Sequence, residues 1–132
     1  MSNRTIWVNF GDYGNVYKIE LSPDQKLIQT HRKNKWIDFT SCQYAISTLS
    51  PEAFMLYMDL VMHSVDWPWA LIEEQVTKNT QLTATDLEWA VQELIDKNYL
   101  TPGEINAFGK TYKRNCYHLW EEPSMRLKNR TN

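Results

Sequence analysis

An α+β fold is predicted from three observations. Alternating apolar residues occur toward both ends of the chain, as strands require, whereas the middle shows apolar spacings of three and four, as helices require. The helical segments open on recognisable capping residues, and turn residues separate the strand-like runs. The 132 residues are about one domain, and 42% hydrophobic content with six Trp and seven Tyr supplies a core.

At the start, Ile6, Val8 and Phe10 alternate with Trp7 and Asn9. After the turn signal Gly11-Asp12-Tyr13-Gly14-Asn15, Tyr17, Ile19 and Leu21 alternate with Val16, Lys18 and Glu20, and Ser22-Pro23-Asp24 closes the unit. This is a β-hairpin pattern. Residues 26–40 contain a basic run, Thr30-His31-Arg32-Lys33-Asn34-Lys35, before the apolar Trp36-Ile37-Asp38-Phe39. They read as a solvated loop leading into a short strand, or as a loop that contacts phosphate.

Ser50-Pro51-Glu52 opens the first helix: Ser50 is the N-cap, Pro51 has no N–H to leave unpaired, and Glu52 suits the positive end of the dipole. Leu49 and Phe54 form a staple, and Ala53, Tyr57, Leu60, Val61 and Ser64 mark one face. Asp66-Trp67-Pro68-Trp69 ends it, with the two Trp read as lids over neighbouring helices or as a partner-facing aromatic patch. A second helix runs from Glu73 to about Asn79, and Thr80-Gln81-Leu82 links it to a third at 83–95. There Leu87, Ala90, Val91, Leu94 and Ile95 recur on one face, Thr83 and Asp86 make a capping-box-like pair, and Leu82 and Leu87 a staple. Asn98 suits the left-handed position that stops the helix. Ile105 to Phe108 and Tyr112 to Trp120 read as two strands around Gly109-Lys110. Cys116 to Trp120 is apolar on both faces, so this strand is covered on both sides.

A helix-turn-helix followed by a hairpin is the arrangement called a wing. The expected fold is therefore a winged helix-turn-helix over 49–122, with a β-rich N-terminal extension over 1–48 and a basic, frayed tail over 123–132.

The net charge of −2 hides segregation. Residues 51–104 hold ten acids against Lys78 and Lys97, a net −8, so the flanks together carry +6. Such a division concerns partners rather than fold. No secretory signal or membrane-length apolar run is present. Cys42 and Cys116 are too few and too far apart for zinc, and read as ordinary thiols of a reduced, cytoplasmic protein. No phosphate-cradling or metalloprotease motif appears, His31, His63 and His118 are dispersed, and Glu73-Glu74 and Glu121-Glu122 are adjacent pairs rather than dyads. His63 is read as a cation suited to the end of the first helix. The expectation is a non-enzyme with no catalytic residue, metal or cofactor.

Leu-Ser-Pro-Glu-Ala-Phe-Met-Leu-Tyr (49–57), Trp67 to Ile72, the third helix ending Glu93-Leu94-Ile95-Asp96-Lys97-Asn98-Tyr99-Leu100, and the closing Cys116 to Pro123 together resemble the winged-helix domains at the N-termini of phage and plasmid replication initiators and replisome organisers. The resemblance spans roughly residues 36–123. It implies double-stranded DNA as a partner, with the third helix in the major groove. Carried onto this sequence, Gln81, Thr83, Thr85 and Gln92 would meet base edges, while Lys110, Lys113 and Arg114 on the wing and Arg32, Lys33 and Lys35 on the loop would neutralise phosphates, joined by Arg126, Lys128 and Arg130 of the tail.

Asp86, Glu88 and Glu93 are unwelcome beside phosphates, and no Arg on this helix could grip a guanine. A second class therefore stands beside the first: a winged-helix protein whose face of Asp86, Glu88, Trp89 and Glu93 binds a host or phage protein, in the manner of phage proteins that block CRISPR nucleases. The hairpin at 5–21 also offers sheet edges through which two copies could pair.

Overall fold

The computed structural model describes residues 4–10, 15–21, 25–63, 65–107 and 109–129. β1 (Arg4–Phe10) and β2 (Asn15–Leu21) form the antiparallel hairpin that alternation predicts, in register from Arg4 opposite Leu21 to Phe10 opposite Asn15. Residues 11–14 and Ser22, Pro23 and Asp24 lie outside the described residues.

The rest is an α+β unit around a four-stranded sheet. β3 (Lys26–His31) lies between β4 (Trp69–Leu71), antiparallel to it, and β8 (Cys116–Trp120), parallel to it; β5 (Leu100–Pro102) completes the order β4-β3-β8-β5. α1 (Phe39–Thr48) and α2 (Pro51–Val61) precede β4, and α3 (Glu73–Thr80) and α4 (Ala84–Asp96) follow it. β6 (Ile105–Ala107) pairs with β7 (Lys110–Tyr112) as a separate hairpin, and α5 (Ser124–Asn129) follows β8. Among the described residues no helix is long and apolar enough to cross a membrane.

The sheet has two occupied faces. Ile28, Leu100 and Leu119 turn toward the helices and join Leu56, Tyr57, Leu60, Leu87 and Leu94 in the main core. Leu27 and Cys116 turn the other way, under Ile105 and Tyr112 of the hairpin. β8 is thus covered on both sides, as its apolar pattern predicts. Burying each Leu of this kind contributes about 2 kcal/mol.

The caps behave as their residue types require. Ser50 Oγ accepts the Ala53 N–H at 3.2 Å, and Thr83 Oγ1 accepts the Asp86 N–H at 3.1 Å. Asn98 is left-handed at φ 66°, with the Tyr99 N–H donating to the Leu94 carbonyl and the Asn98 N–H to that of Ile95. That is a Schellman motif. Trp69 is buried as a lid, its indole N–H donating to the Thr30 hydroxyl at 2.9 Å.

The structure departs from the sequence expectations at several points. Residues 26–40 are not a loop leading into a short strand: β3 is an inner strand of the sheet, and Phe39 begins a helix. Leu27 and Ile28 are adjacent and serve opposite cores, so β3 shows no period of two. α1 turns the small Ser41 and Ala45 inward and leaves Phe39, Tyr44 and Ile46 exposed, an inverted pattern that periodicity cannot recognise. Only its N-cap is conventional, the Asp38 carboxylate accepting the Thr40 N–H at 3.0 Å. Residues on both sides of the expected boundary between 48 and 49, Ala45 and Ala53 among them, share the main core.

The expected strand from Tyr112 to Trp120 divides in two, because Tyr112 pairs with Ile105 whereas Cys116 pairs with Leu27; left-handed Asn115 (φ 50°) makes the turn. The start of the tail is α5 rather than frayed, tied down where Arg126 Nη1 donates to Asn98 Oδ1 at 2.9 Å. α2 stops at Val61, ahead of Pro68, and Ser64 lies outside the described residues.

Glu121, fully buried, fastens the irregular segment between β3 and α1. Its carboxylate accepts the Lys33 N–H at 3.0 Å and the Asp38 N–H at 2.8 Å, while its own carbonyl accepts the Tyr57 hydroxyl at 2.8 Å. Removing the carboxylate leaves two part-buried N–H groups without their acceptor. Glu121→Ala should therefore cost about 3 kcal/mol in urea unfolding, with Glu121→Gln, which keeps one acceptor, falling between it and the native chain.

Candidate functional site

The turn from α3 to α4 is made by Gln81, left-handed at φ 62°, and by Thr80, whose hydroxyl donates to the Val76 carbonyl at 2.7 Å and accepts the Leu82 N–H at 3.3 Å. Leu82 and Leu87 are buried, completing the staple. With Leu87, Ala90 and Leu94 facing the core, α4 turns Thr85, Asp86, Glu88, Trp89 and Gln92 outward. Trp89 is 72% exposed, an unusual state for so large an apolar ring. Beside it runs a groove of about 720 Å³ whose floor includes Leu71, Val91, Ile95 and Tyr117, with Glu73 and Glu88 among its walls.

Of the residues expected to meet a ligand here, Gln81 and Thr83 serve the turn and the cap, and the Gln92 amide donates to Asp96 Oδ1 at 2.8 Å. Glu93 is withdrawn from the outer face. It accepts the Ser50 N–H at 2.7 Å and pairs with Lys97 at 3.2 Å, tying α4 to the start of α2. Partial burial alone would raise its pKa, but the hydrogen bonds from Ser50 and the Lys97 ammonium outweigh it and hold the carboxyl below the usual range.

The expected phosphate-binding cations divide sharply. Arg32 closes the end of α2, donating to the carbonyls of Val61 at 2.7 Å, His63 at 2.6 Å and Lys35 at 2.9 Å. A guanidinium so used suits the negative end of a helix and is not available to a phosphate. It takes the place expected for His63, whose ring stacks on Trp69 at 3.7 Å. Desolvation of that stacked face pulls the His63 pKa below its ordinary value, although the residue keeps an open edge. Lys33 pairs with Glu122 at 2.8 Å, which raises the lysine pKa. Lys35 is exposed beside Trp36, 5.6 Å from its ring centre. Lys110, Lys113 and Arg114 are exposed on and beside the hairpin. Lys128 and Arg130 have no described side chains.

A second polar constellation escaped the sequence. His31 and His118 stand 87 positions apart, yet the parallel pairing of β3 and β8 puts both on one face of the sheet. His31 Nε2 and His118 Nδ1 are 2.8 Å apart, and His118 Nε2 lies 2.8 Å from the Glu104 carbonyl. A carbonyl only accepts, so His118 carries its proton on Nε2 and receives the His31 N–H on Nδ1. His31 also stacks on Trp120 at 4.1 Å. Gly103 makes room for the ring: a Cβ there would lie 2.9 Å from His118 Cδ2. No spacing rule links residues brought together by a long parallel crossover.

No family model matches the chain, and no curated protein or solved structure matches it either. Among the described residues no group of three or more His, Cys, Asp or Glu is placed to hold a metal ion, and Cys42 and Cys116 are not joined in a disulfide.

Burial, and then the neighbouring His118, lower the His31 pKa from 6.5 to about 4. The unfolded chain therefore takes up a proton that the folded chain refuses. His31 contributes stability that is complete above about pH 6.5 and is lost as the pH falls toward about 4. Discounted for solvent screening, the loss is about 1–2 kcal/mol. Urea unfolding at about pH 7.5 and pH 4.5 should show it together with the share of His63, which burial lowers likewise, and His31→Gln should remove the His31 share of that slope.

Proposed function

We propose that this chain is a winged helix-turn-helix module that binds a protein partner through the outer face of α4. The three helices α2, α3 and α4, the tight α3–α4 turn and the following hairpin support the winged-helix reading, as does the sequence resemblance to the initiator domains of mobile elements. One observation carries the choice of partner. The face a DNA reader would lay in the major groove presents Asp86 and Glu88 around an exposed Trp89, with Thr85 and Gln92 as its neutral polar groups. Two carboxylates beside the phosphates oppose the term that dominates DNA affinity. An exposed Trp in an acidic rim is instead the composition of a protein-binding hot spot. The partner it suits is basic, with an apolar cleft for the indole.

A separate observation favours DNA as a second reading. Lys110, Lys113 and Arg114 lie exposed within five residues on and just after the β6–β7 hairpin, a cluster suited to gripping a backbone from the side without α4 entering a groove.

Two measurements separate the readings. Peptides selected from a random library against the native protein should be net basic and should lose binding to Trp89→Ala; peptides indifferent to that change overturn the partner reading. Duplex DNA titrated at about 50 mM salt should bind no more tightly than the micromolar range of non-specific contacts. Tighter binding with a log–log salt slope of about −2.7, removed by Lys113→Ala with Arg114→Ala and untouched by Trp89→Ala, would establish the hairpin as a DNA grip instead.

A further inference from the structure

Away from the outer face of α4, on the hairpin side of the sheet, a cavity of about 750 Å³ opens between the end of α4, strands β5 and β8, and α5. Its size is that of a small-molecule pocket. Ile95, Leu100, Pro102 and Trp120 supply apolar walls, and among the described residues that line it Arg126 is the charged one.

The polar atoms are arranged with capacity left over. Trp120 Nε1 donates to Thr101 Oγ1 at 2.9 Å, so the hydroxyl proton must be directed elsewhere. The His31–His118–Glu104 chain fixes the His31 proton on Nε2 and leaves Nδ1 as an acceptor. Arg126 spends one N–H on Asn98 Oδ1, which steadies the guanidinium against the end of α4 and leaves further donors. A mostly apolar concavity with a few directed polar groups and one cation is the form of a site for an amphipathic anion.

We propose that this cavity binds a small organic anion, its carboxylate or phosphate held by Arg126 and the Thr101 hydroxyl, its apolar body against Trp120 and Leu100, and a donor group on that body meeting Nδ1 of His31. The site shares Ile95 with the groove beside Trp89 but none of the outward residues of α4, and stands whatever macromolecule that face engages.

The test uses the full chain and three probes: benzoate, phenyl phosphate, and neutral benzyl alcohol as control. The ring signals of His31 and His118 and the indole N–H of Trp120 are followed by NMR during titration at about pH 7.5, where the His31 ring is neutral. Saturable shifts with one or both anions are expected, and the tighter of the two identifies the anionic group. Arg126→Gln should weaken binding by about tenfold, Arg126→Lys by less, and Thr101→Val by a few-fold. Unmoved signals at millimolar probe overturn the proposal, as do equal shifts with benzyl alcohol or affinity unchanged in Arg126→Gln. Should Arg126→Gln disturb the fold, the contrast between anions and alcohol on the native chain decides alone.

Discussion

The parallel pairing of β3 with β8 is the contact on which the rest of this structure depends. Leu27, Ile28, Gln29, Thr30 and His31 lie opposite Cys116, Tyr117, His118, Leu119 and Trp120, so a segment near the start is inserted beside one near the end. Without it the β3–β4 pair would be severed from β8 and β5, because β3 separates β4 from β8. Leu27 would leave the small core under the hairpin, and Ile28 the main one. The same pairing sets Glu121 one residue beyond the strand, where its N–H donates to the His31 carbonyl and its carboxylate gathers the backbone of residues 33–38. A fully buried carboxylate persists there because main-chain donors meet it.

This closure also governs what the surface can do. Arg32 and Lys33, two of the cations expected from the sequence to contact phosphate, follow directly on β3 and are consumed in joining the loop to α2 and to Glu122. The positive charge seen in the sequence is thus partly structural charge. The acids on α4 have no such internal use, apart from Glu93 and the Asp96–Gln92 contact. The proposal of a protein partner rests on this distribution, in which Arg32 and Lys33 are engaged internally while Asp86, Glu88 and Trp89 stay exposed.

Legibility followed the locality of the forces. The caps at Ser50, Thr83 and Asn98, the staple of Leu82 and Leu87, and the inward face of α4 are interactions within a few residues, and each could be read from the sequence. β3 could not: its two buried residues serve different cores, and its partners are supplied by β4 and by a strand about ninety residues downstream. α1 was hidden by an inverted face and by the absence of charge, so that only Asp38 marks its start. The exposed α4 residues were identified, but the withdrawal of Glu93 and the capture of Arg32 depend on tertiary neighbours. His31 and His118 looked dispersed for the same reason that β3 looked like a loop.

Native-state amide hydrogen exchange tests the central claim most directly. If β3 is integral, its ladder amides should exchange only through global opening, with a free energy within about 1 kcal/mol of that for the interior of α4 around Ala90 and Leu94. Amides of β3 that exchange several kcal/mol more readily, while those of α4 stay protected, would show that this strand is an appended segment and contradict the account.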